Sequence, residues 1–147
     1  MGSTYHSLHY HIVFSTKERR PFIRSGWRAQ FHQYIGGTVR GLGGVAKAIG
    51  GVEDHLHLLV SLSTTLTLAE FVRELKKASS VWAIENHEPM FSWQEGYAVL
   101  AVSWTHVAIV KRYIENQEEH HRKASFNDEL KRLLAKNGVK FDPKYLV

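Results

Sequence analysis

The sequence predicts an α+β protein whose elements run strand, helix, strand, strand, helix, strand, with an antiparallel sheet and two more helices after it. Three observations carry this. Apolar residues alternate over residues 5–15 and recur in a run at 56–60, as in strands with at least one buried face. Stretches 25–41 and 67–85 repeat apolar residues at helical spacing between the strand signals. Two further helical patterns follow residue 103.

Over Tyr5–Ser15, Leu8, Tyr10, Ile12 and Phe14 alternate with His9, His11, Val13 and Ser15. The first set reads as core and the second as the opposite sheet face. Ser25 suits the N-cap of a helix to about Gly41, with Trp27, Phe31, Tyr34, Ile35 and Thr38 inward and Gly41, Gly43 and Gly44 ending it. A Gly-rich strand, about Val45–Glu53, turns directly into one carrying Asp54-His55-Leu56-His57-Leu58-Leu59-Val60 and ending near Leu62. Thr67 and Glu70 have capping-box spacing ahead of Leu68, Phe71, Val72, Leu75, Ser79 and Trp82, which predicts a helix to about Glu85. Pro89 and Phe91–Gly96 read as a loop, and Tyr97–Ser103 as a fourth strand. With both helices on one sheet face, this order is the ferredoxin-like βαββαβ core. His9, His11, His55 and His57 then share the other face. A helix over about Thr105–His120 follows. A short last helix is capped by Ser125, faces Phe126, Leu130, Leu133 and Leu134 inward, and ends at Gly138.

The 147 residues suit one domain, 1–147, and 44% hydrophobic with 22% charged residues is ordinary for a soluble globular chain. With no cysteine, disulfides, thiolate metal sites and cysteine nucleophiles are excluded. No apolar run approaches about 18 residues and no signal peptide is visible, so the expectation is a cytoplasmic protein without membrane contact. The net charge of +5 leans toward a polyanionic partner. Lys17, Arg19, Arg20, Arg24 and Arg28 cluster around the single acid Glu18, and Arg73, Lys76 and Lys77 lie mainly off the apolar stripe of their helix. Each group reads either as a solvated surface or as a phosphate-contacting edge.

In a strand, His55 and His57 point to one face and offer two imidazoles to one ion. Far downstream, Tyr113 and Gln117 are four residues apart on one helix flank beside the stripe Val107, Val110, Ile114. His106 and His120 fall within about 30° of them at 100° per residue. A phenol can attack a phosphodiester and hold the strand as an ester, although its ordinary pKa of about 10 leaves it protonated at neutral pH. A divalent ion on two imidazoles and an amide oxygen polarises a phosphate. His55, His57 and Gln117 supply those ligands, and Mn²⁺ or Mg²⁺ is compatible with them.

These residues bring the chain to a recognisable pattern. His55-Leu56-His57 and Tyr113-Ile114-Glu115-Asn116-Gln117 resemble the histidine motif and tyrosine helix of the small single-tyrosine HUH transposases of bacterial insertion sequences and their domesticated, palindrome-associated relatives. Tyr10–Lys17, Trp93–Tyr97 and Glu118–Lys123 look like further landmarks of that family, so the resemblance spans about residues 5–146. Many relatives carry Gly-Ala-Phe-Ser-Val-Ser after a Gly-Tyr pair; Ala98-Val99-Leu100-Ala101-Val102-Ser103 departs from this and keeps an apolar strand. The resemblance implies a ferredoxin-like core with the tyrosine on an added helix, and an obligate homodimer in which one subunit's tyrosine can serve the other's histidines. The implied reaction cleaves and rejoins single-stranded DNA near hairpin or palindromic ends through a 5′-phosphotyrosine, without ATP. Tyr113 is then the nucleophile, and His55, His57 and Gln117 hold the Mg²⁺ or Mn²⁺. Lys17, Arg19, Arg20, Arg73, Lys76, His120, His121 and Arg122 are the candidates for DNA contact. His120 and His121 equally suit lining the site or edging the helix.

Three other readings share parts of this pattern. One is a module that binds structured nucleic acid without cutting it, which ordinarily exposes aromatics rather than histidines on the open sheet face. The second is a replication-initiator nickase of the wider HUH class, disfavoured by the short chain. The third is a metal-dependent hydrolase that uses water in place of a phenol.

Overall fold

Strand β1 (His9–Ser15) lies inside a four-stranded antiparallel sheet of order β2–β3–β1–β4, with β2 at Val45–Gly51, β3 at His55–Ser61 and β4 at Ala98–Val102. The structure, a computed structural model, describes residues 2–147. Val13 pairs with His57 on one side and Ala98 on the other, and Ile12 with Leu58 and Val99. Paired residues project to the same side of a sheet. His11, Val13, Ser15, His55, His57, Leu59, Ala98 and Leu100 therefore share one face, and Ile12, Phe14, Leu56, Leu58 and Val60 the other.

Helices α1 (Ser25–Gly41) and α2 (Leu68–Asn86) cover the second face. Trp27, Phe31, Ile35 and Val39 of α1 and Phe71, Val72, Leu75 and Ala83 of α2 are buried in one core with Ile12, Phe14, Leu56 and Leu58. This is the predicted ferredoxin-like arrangement. The first face is covered as well, by α3 (Val107–Glu115), α4 (Gln117–His121) and α5 (Phe126–Lys136). Ile114 of α3 packs with Ala48, Leu59 and Val102; Phe126, Leu130 and Leu134 of α5 pack with Val13, Ala98 and Leu100. The histidine face is thereby taken out of water. Gly50 makes the α3 contact close: a Cβ there would lie 2.0 Å from the carbonyl oxygen of Ile114.

Several boundaries differ from expectation. The first strand starts at His9, and Tyr5 is exposed ahead of it. Ser25 is the first helical residue and makes no cap; Arg24 holds the cap position without a side-chain bond. Thr67 and Ser125 do cap, accepting from the backbone N–H of Glu70 and Asp128. The helix expected over 105–120 is broken. A 3₁₀ turn at Trp104–His106 leads into α3, and Asn116 leaves helical geometry (φ −101°, ψ 24°) before α4 begins. Asn is a weak helix former, and its N–H closes the last turn onto Arg112 and Tyr113. Among the described residues, no helix is long and apolar enough to cross a membrane.

Candidate active site

The two histidines of β3 and the two polar residues around the α3–α4 break meet on one carboxylate, that of Glu129 in α5. Nε2 of His55 lies 3.0 Å from Gln117 Oε1 and 3.5 Å from Glu129 Oε1. Nε2 of His57 is 3.1 Å from the same Glu129 oxygen, and Nε2 of His121 is 2.9 Å from it. The other carboxylate oxygen accepts from Gln117 Nε2 at 2.9 Å and from the phenol of Tyr113. Tyr113 thus stands beside the histidines of its own chain, its ring centroid 5.8 Å from that of His57. The break at Asn116 keeps Tyr113 and Gln117 on one centre while α4 turns His120 and His121 toward it as well.

Neighbours fix how each ligand atom is presented. Asp54 Oδ1 accepts from His55 Nδ1 at 2.7 Å. That leaves His55 Nε2 facing Gln117 Oε1 and Glu129 Oε1, both of which can only accept. The Gln117 amide cannot flip to relieve this, because its nitrogen donates to Glu129. His11 Nε2 lies 2.7 Å from His57 Nδ1. Two imidazole nitrogens, an amide oxygen and a carboxylate therefore face one another, a mixed nitrogen and oxygen donor set that fits a divalent metal ion.

The electrostatics follow from burial. His55 and His57 are fully buried, and Glu129 is 1% exposed. Burial pushes His57 down to about 4, against the opposing pull of Glu129. Burial, reinforced by His57, lowers His11 to about 3. For Glu129, burial favours the neutral acid, but hydrogen bonds from His121 and His57 outweigh it and hold the carboxyl below its usual range. Burial likewise opposes charge on His121, yet the Glu129 bond raises its pKa, so His121 is the natural proton partner of that carboxylate. Tyr113 moves above its ordinary value, first through burial and then through its hydrogen bond to Glu129.

Of the sequence-predicted site residues, Tyr113, His55, His57, Gln117, His120 and His121 come together. His120 is the loosest: its Nε2 is 3.5 Å from Glu129 Oε2 and has no hydrogen-bond partner. His106 does not join; the 3₁₀ turn leaves it exposed beside Ser103 and Thr105. His9 sits against Trp104 instead of the cluster. The basic candidates divide. Lys76 is a strut, its Nζ donating to the carbonyls of Gln94 and Gly96. Arg19 donates to the Val147 carbonyl and lies over the Phe126 ring. Arg73, on the helix layer opposite the site, pairs with Glu70 and Glu74. Arg20 and Arg122 are exposed and paired with Glu18 and Glu119, and Lys17 is exposed. Sequence reasoning missed Glu129 and the roles of Asp54 and His11. A signal for Glu129 existed: on a helical wheel it falls about 40° from Leu133, at the border of the inward stripe.

Comparison with known proteins decides the family. The model of the family described as "Transposase IS200 like" matches residues 4–117, most of the chain. The chain belongs to the IS200-like transposase family. The ISDra2 transposase TnpA of Deinococcus radiodurans is 29% identical over 133 residues, spanning 78% of this chain and 86% of that protein. A protein of Deinococcus radiodurans R1, solved by crystallography and provisionally assigned as a transposase, superposes with a TM-score of 0.65 at 25% identity, over 80% of this chain and 96% of that one. A REP-associated tyrosine transposase, solved bound to a REP hairpin, shares the fold with a TM-score of 0.61 at 14% identity, over 100% of this chain and 92% of that one. The IS200-like match includes His55, His57, Tyr113 and Gln117 and stops before α5, so Glu129 lies outside it.

Proposed function

We propose that this IS200-like transposase cleaves and rejoins single-stranded DNA beside hairpin or palindromic ends, with Tyr113 as the nucleophile. The observation that carries this reading is the shared carboxylate: the phenol of Tyr113 and the imidazoles of His55 and His57 all face Glu129. A phosphate of the strand, entering at Tyr113, meets the nucleophile and the ligand set together. In the cleavage step Tyr113 Oη bonds to phosphorus and the bond to the 3′ oxygen breaks. The phenol loses its proton and the leaving oxygen gains one, giving a 5′-phosphotyrosine and a free 3′-OH. Attack by a 3′-OH on the ester reverses the step and rejoins a strand.

His55, His57 and Gln117 would hold a divalent ion, Mg²⁺ or Mn²⁺, that when bound polarises the phosphate and offsets the charge that develops on it. Asp54 orients His55, and His11 does the same for His57. Glu129 holds the phenol, which stays protonated until a strand is in place. The exposed Lys17, Arg20 and Arg122, together with His120 and His121, are the remaining candidates for backbone contact. We propose a homodimer as the working unit; the Tyr113 ring lies beside His57 of its own chain, which supports a tyrosine that serves the histidines of its own subunit.

The decisive experiment incubates the protein with labelled single-stranded palindromic DNA and Mn²⁺ or Mg²⁺. A protein band that takes up label in wild type, and none with Tyr113→Phe, is the expected result. Cutting that persists in Tyr113→Phe would mean that water is the nucleophile, and the reading would fail.

A further inference from the structure

We propose that Glu129 of α5 is itself a ligand of the divalent ion, a fourth protein ligand beside His55, His57 and Gln117. This rests on the metal site proposed above and adds the residue that closes it.

Distances argue for this first. In octahedral coordination at about 2.1 Å, neighbouring ligand atoms stand about 3 Å apart. The observed separations are of that kind: 3.0 Å from His55 Nε2 to Gln117 Oε1, 3.1 Å from His57 Nε2 to Glu129 Oε1, and 3.5 Å from His55 Nε2 to the same oxygen. Glu129 Oε1 stands to His57 Nε2 as Gln117 Oε1 stands to His55 Nε2. With Nδ1 of His55 donating to Asp54, its Nε2 is the ring atom turned toward Gln117 Oε1 and Glu129 Oε1, where an ion would sit.

Charge points the same way. Two neutral imidazoles and an amide bring no negative charge to a hard dication, and Mn²⁺ and Mg²⁺ favour carboxylate oxygen. Glu129 supplies the one carboxylate among these groups. At 1% exposure it requires a positive partner, and among the described residues no lysine or arginine forms a salt bridge with it. Ligand atoms of His55, His121 and Glu129 all lie within 4.8 Å of one another, which places Glu129 and His55 in one candidate cluster, with His121 rather than His57 as its second imidazole.

The carboxylate is also held there by packing. Phe126 and Leu130, three residues before and one after, are buried against Val13, Ala98 and Leu100. The Phe126 ring stacks on His55, with centroids 4.4 Å apart and planes at 23°. The helix that carries Glu129 is thus built onto the metal-binding strand, as a ligand-bearing element is and a removable cover is not.

The chain has no cysteine, so Glu129→Cys introduces its only thiol. Cobalt(II) titration of the full-length protein, followed by absorption, then reads ligation directly. A thiolate-to-cobalt charge-transfer band in Glu129→Cys, absent from wild type and from the double variant with His55→Ala, is the expected result. Glu129→Gln, near-isosteric and checked for folding by circular dichroism, is expected to raise the Mn²⁺ dissociation constant at least about tenfold, read from the free-ion resonance signal. Cobalt bound by Glu129→Cys without the band, or Mn²⁺ affinity unchanged in a folded Glu129→Gln, overturns Glu129 as a ligand and leaves the His55–His57–Gln117 site standing. Stronger DNA cleavage by Glu129→Gln at unchanged affinity also overturns it, because the carboxylate then only occupies the place of the strand. Failure of wild type to bind either ion, or unchanged affinity in His55→Ala, overturns the metal site and this inference together.

Discussion

Asp54 and His55 are neighbours in the chain, and the carboxylate of the first accepts a hydrogen bond from Nδ1 of the second at 2.7 Å. The pair works because Asp54 sits in the turn before β3, where its side chain can fold back onto the ring that follows. Its backbone carbonyl is engaged separately, by the N–H and hydroxyl of Thr16. Asp54→Ala therefore removes the orienting group and leaves the loop anchored. Mn²⁺ affinity is expected to fall about 10–100-fold, measured by calorimetry, with Asp54→Asn losing less because it retains an accepting oxygen. Unchanged affinity in Asp54→Ala would show that packing alone orients His55.

Gly50 allows α3 to lie against β2. A methyl group on its Cα would fall 2.0 Å from Ile114 O and 2.9 Å from the carbonyl carbon, backbone atoms that cannot rotate aside. Gly50→Ala is expected to push α3 outward, to cost about 3 kcal/mol in a urea melt, and to lower the yield of covalent DNA adduct because Tyr113 rides on that helix. A wild-type melt with normal adduct yield would show that the contact is more yielding than this.

Leu130 is fully buried between α5 and the sheet. Truncation in Leu130→Ala is expected to cost about 2–5 kcal/mol. It should also weaken Mn²⁺ binding, because the adjacent Glu129 loses its anchor. Loss of stability without loss of affinity would separate the packing of α5 from the metal site.

His32 provides a test by pH. Burial, then the charge of Arg28, lowers it to about 4, while Glu118 opposes that shift. The unfolded value is near 6.5. Below that the unfolded chain binds the proton first, so stability is complete above about pH 6.5 and declines as pH falls toward 4. Between pH 7 and 5, wild type is expected to lose about 2 kcal/mol more than His32→Gln in paired urea melts. Equal losses would place the acid sensitivity in other groups.

The architecture was legible because β1 and β3 alternate clearly, and because the capping signal at Thr67 was met by a real bond to Glu70. Tyr113, Gln117 and the two β3 histidines were legible as a set because two short motifs with chemical meaning stand at fixed spacings. The break at Asn116 was not, since no Gly or Pro marks it; a continuous helix put His106 on the flank of Tyr113, where a 3₁₀ turn has removed it. Glu129 was hidden by the polar residues around it, for a carboxylate at the edge of an apolar stripe reads as solvated until the opposing imidazoles are known. Lys76 carried no such signal either: a lysine off the stripe of α2 donates to two carbonyls in a neighbouring loop, which its spacing alone does not show.

The covering of the histidine face has a consequence for how the protein is made. Helix α5 follows every other residue of the cluster in the chain, yet its Phe126 and Glu129 are what stand between the β3 imidazoles and solvent. A nascent chain still on the ribosome, with β3 and α3 already emerged, has its tyrosine and histidines but not their seal. Synthesis reaches a closed centre only once α5, the last of the five α-helices described, has emerged, so the cluster is finished late and all at once.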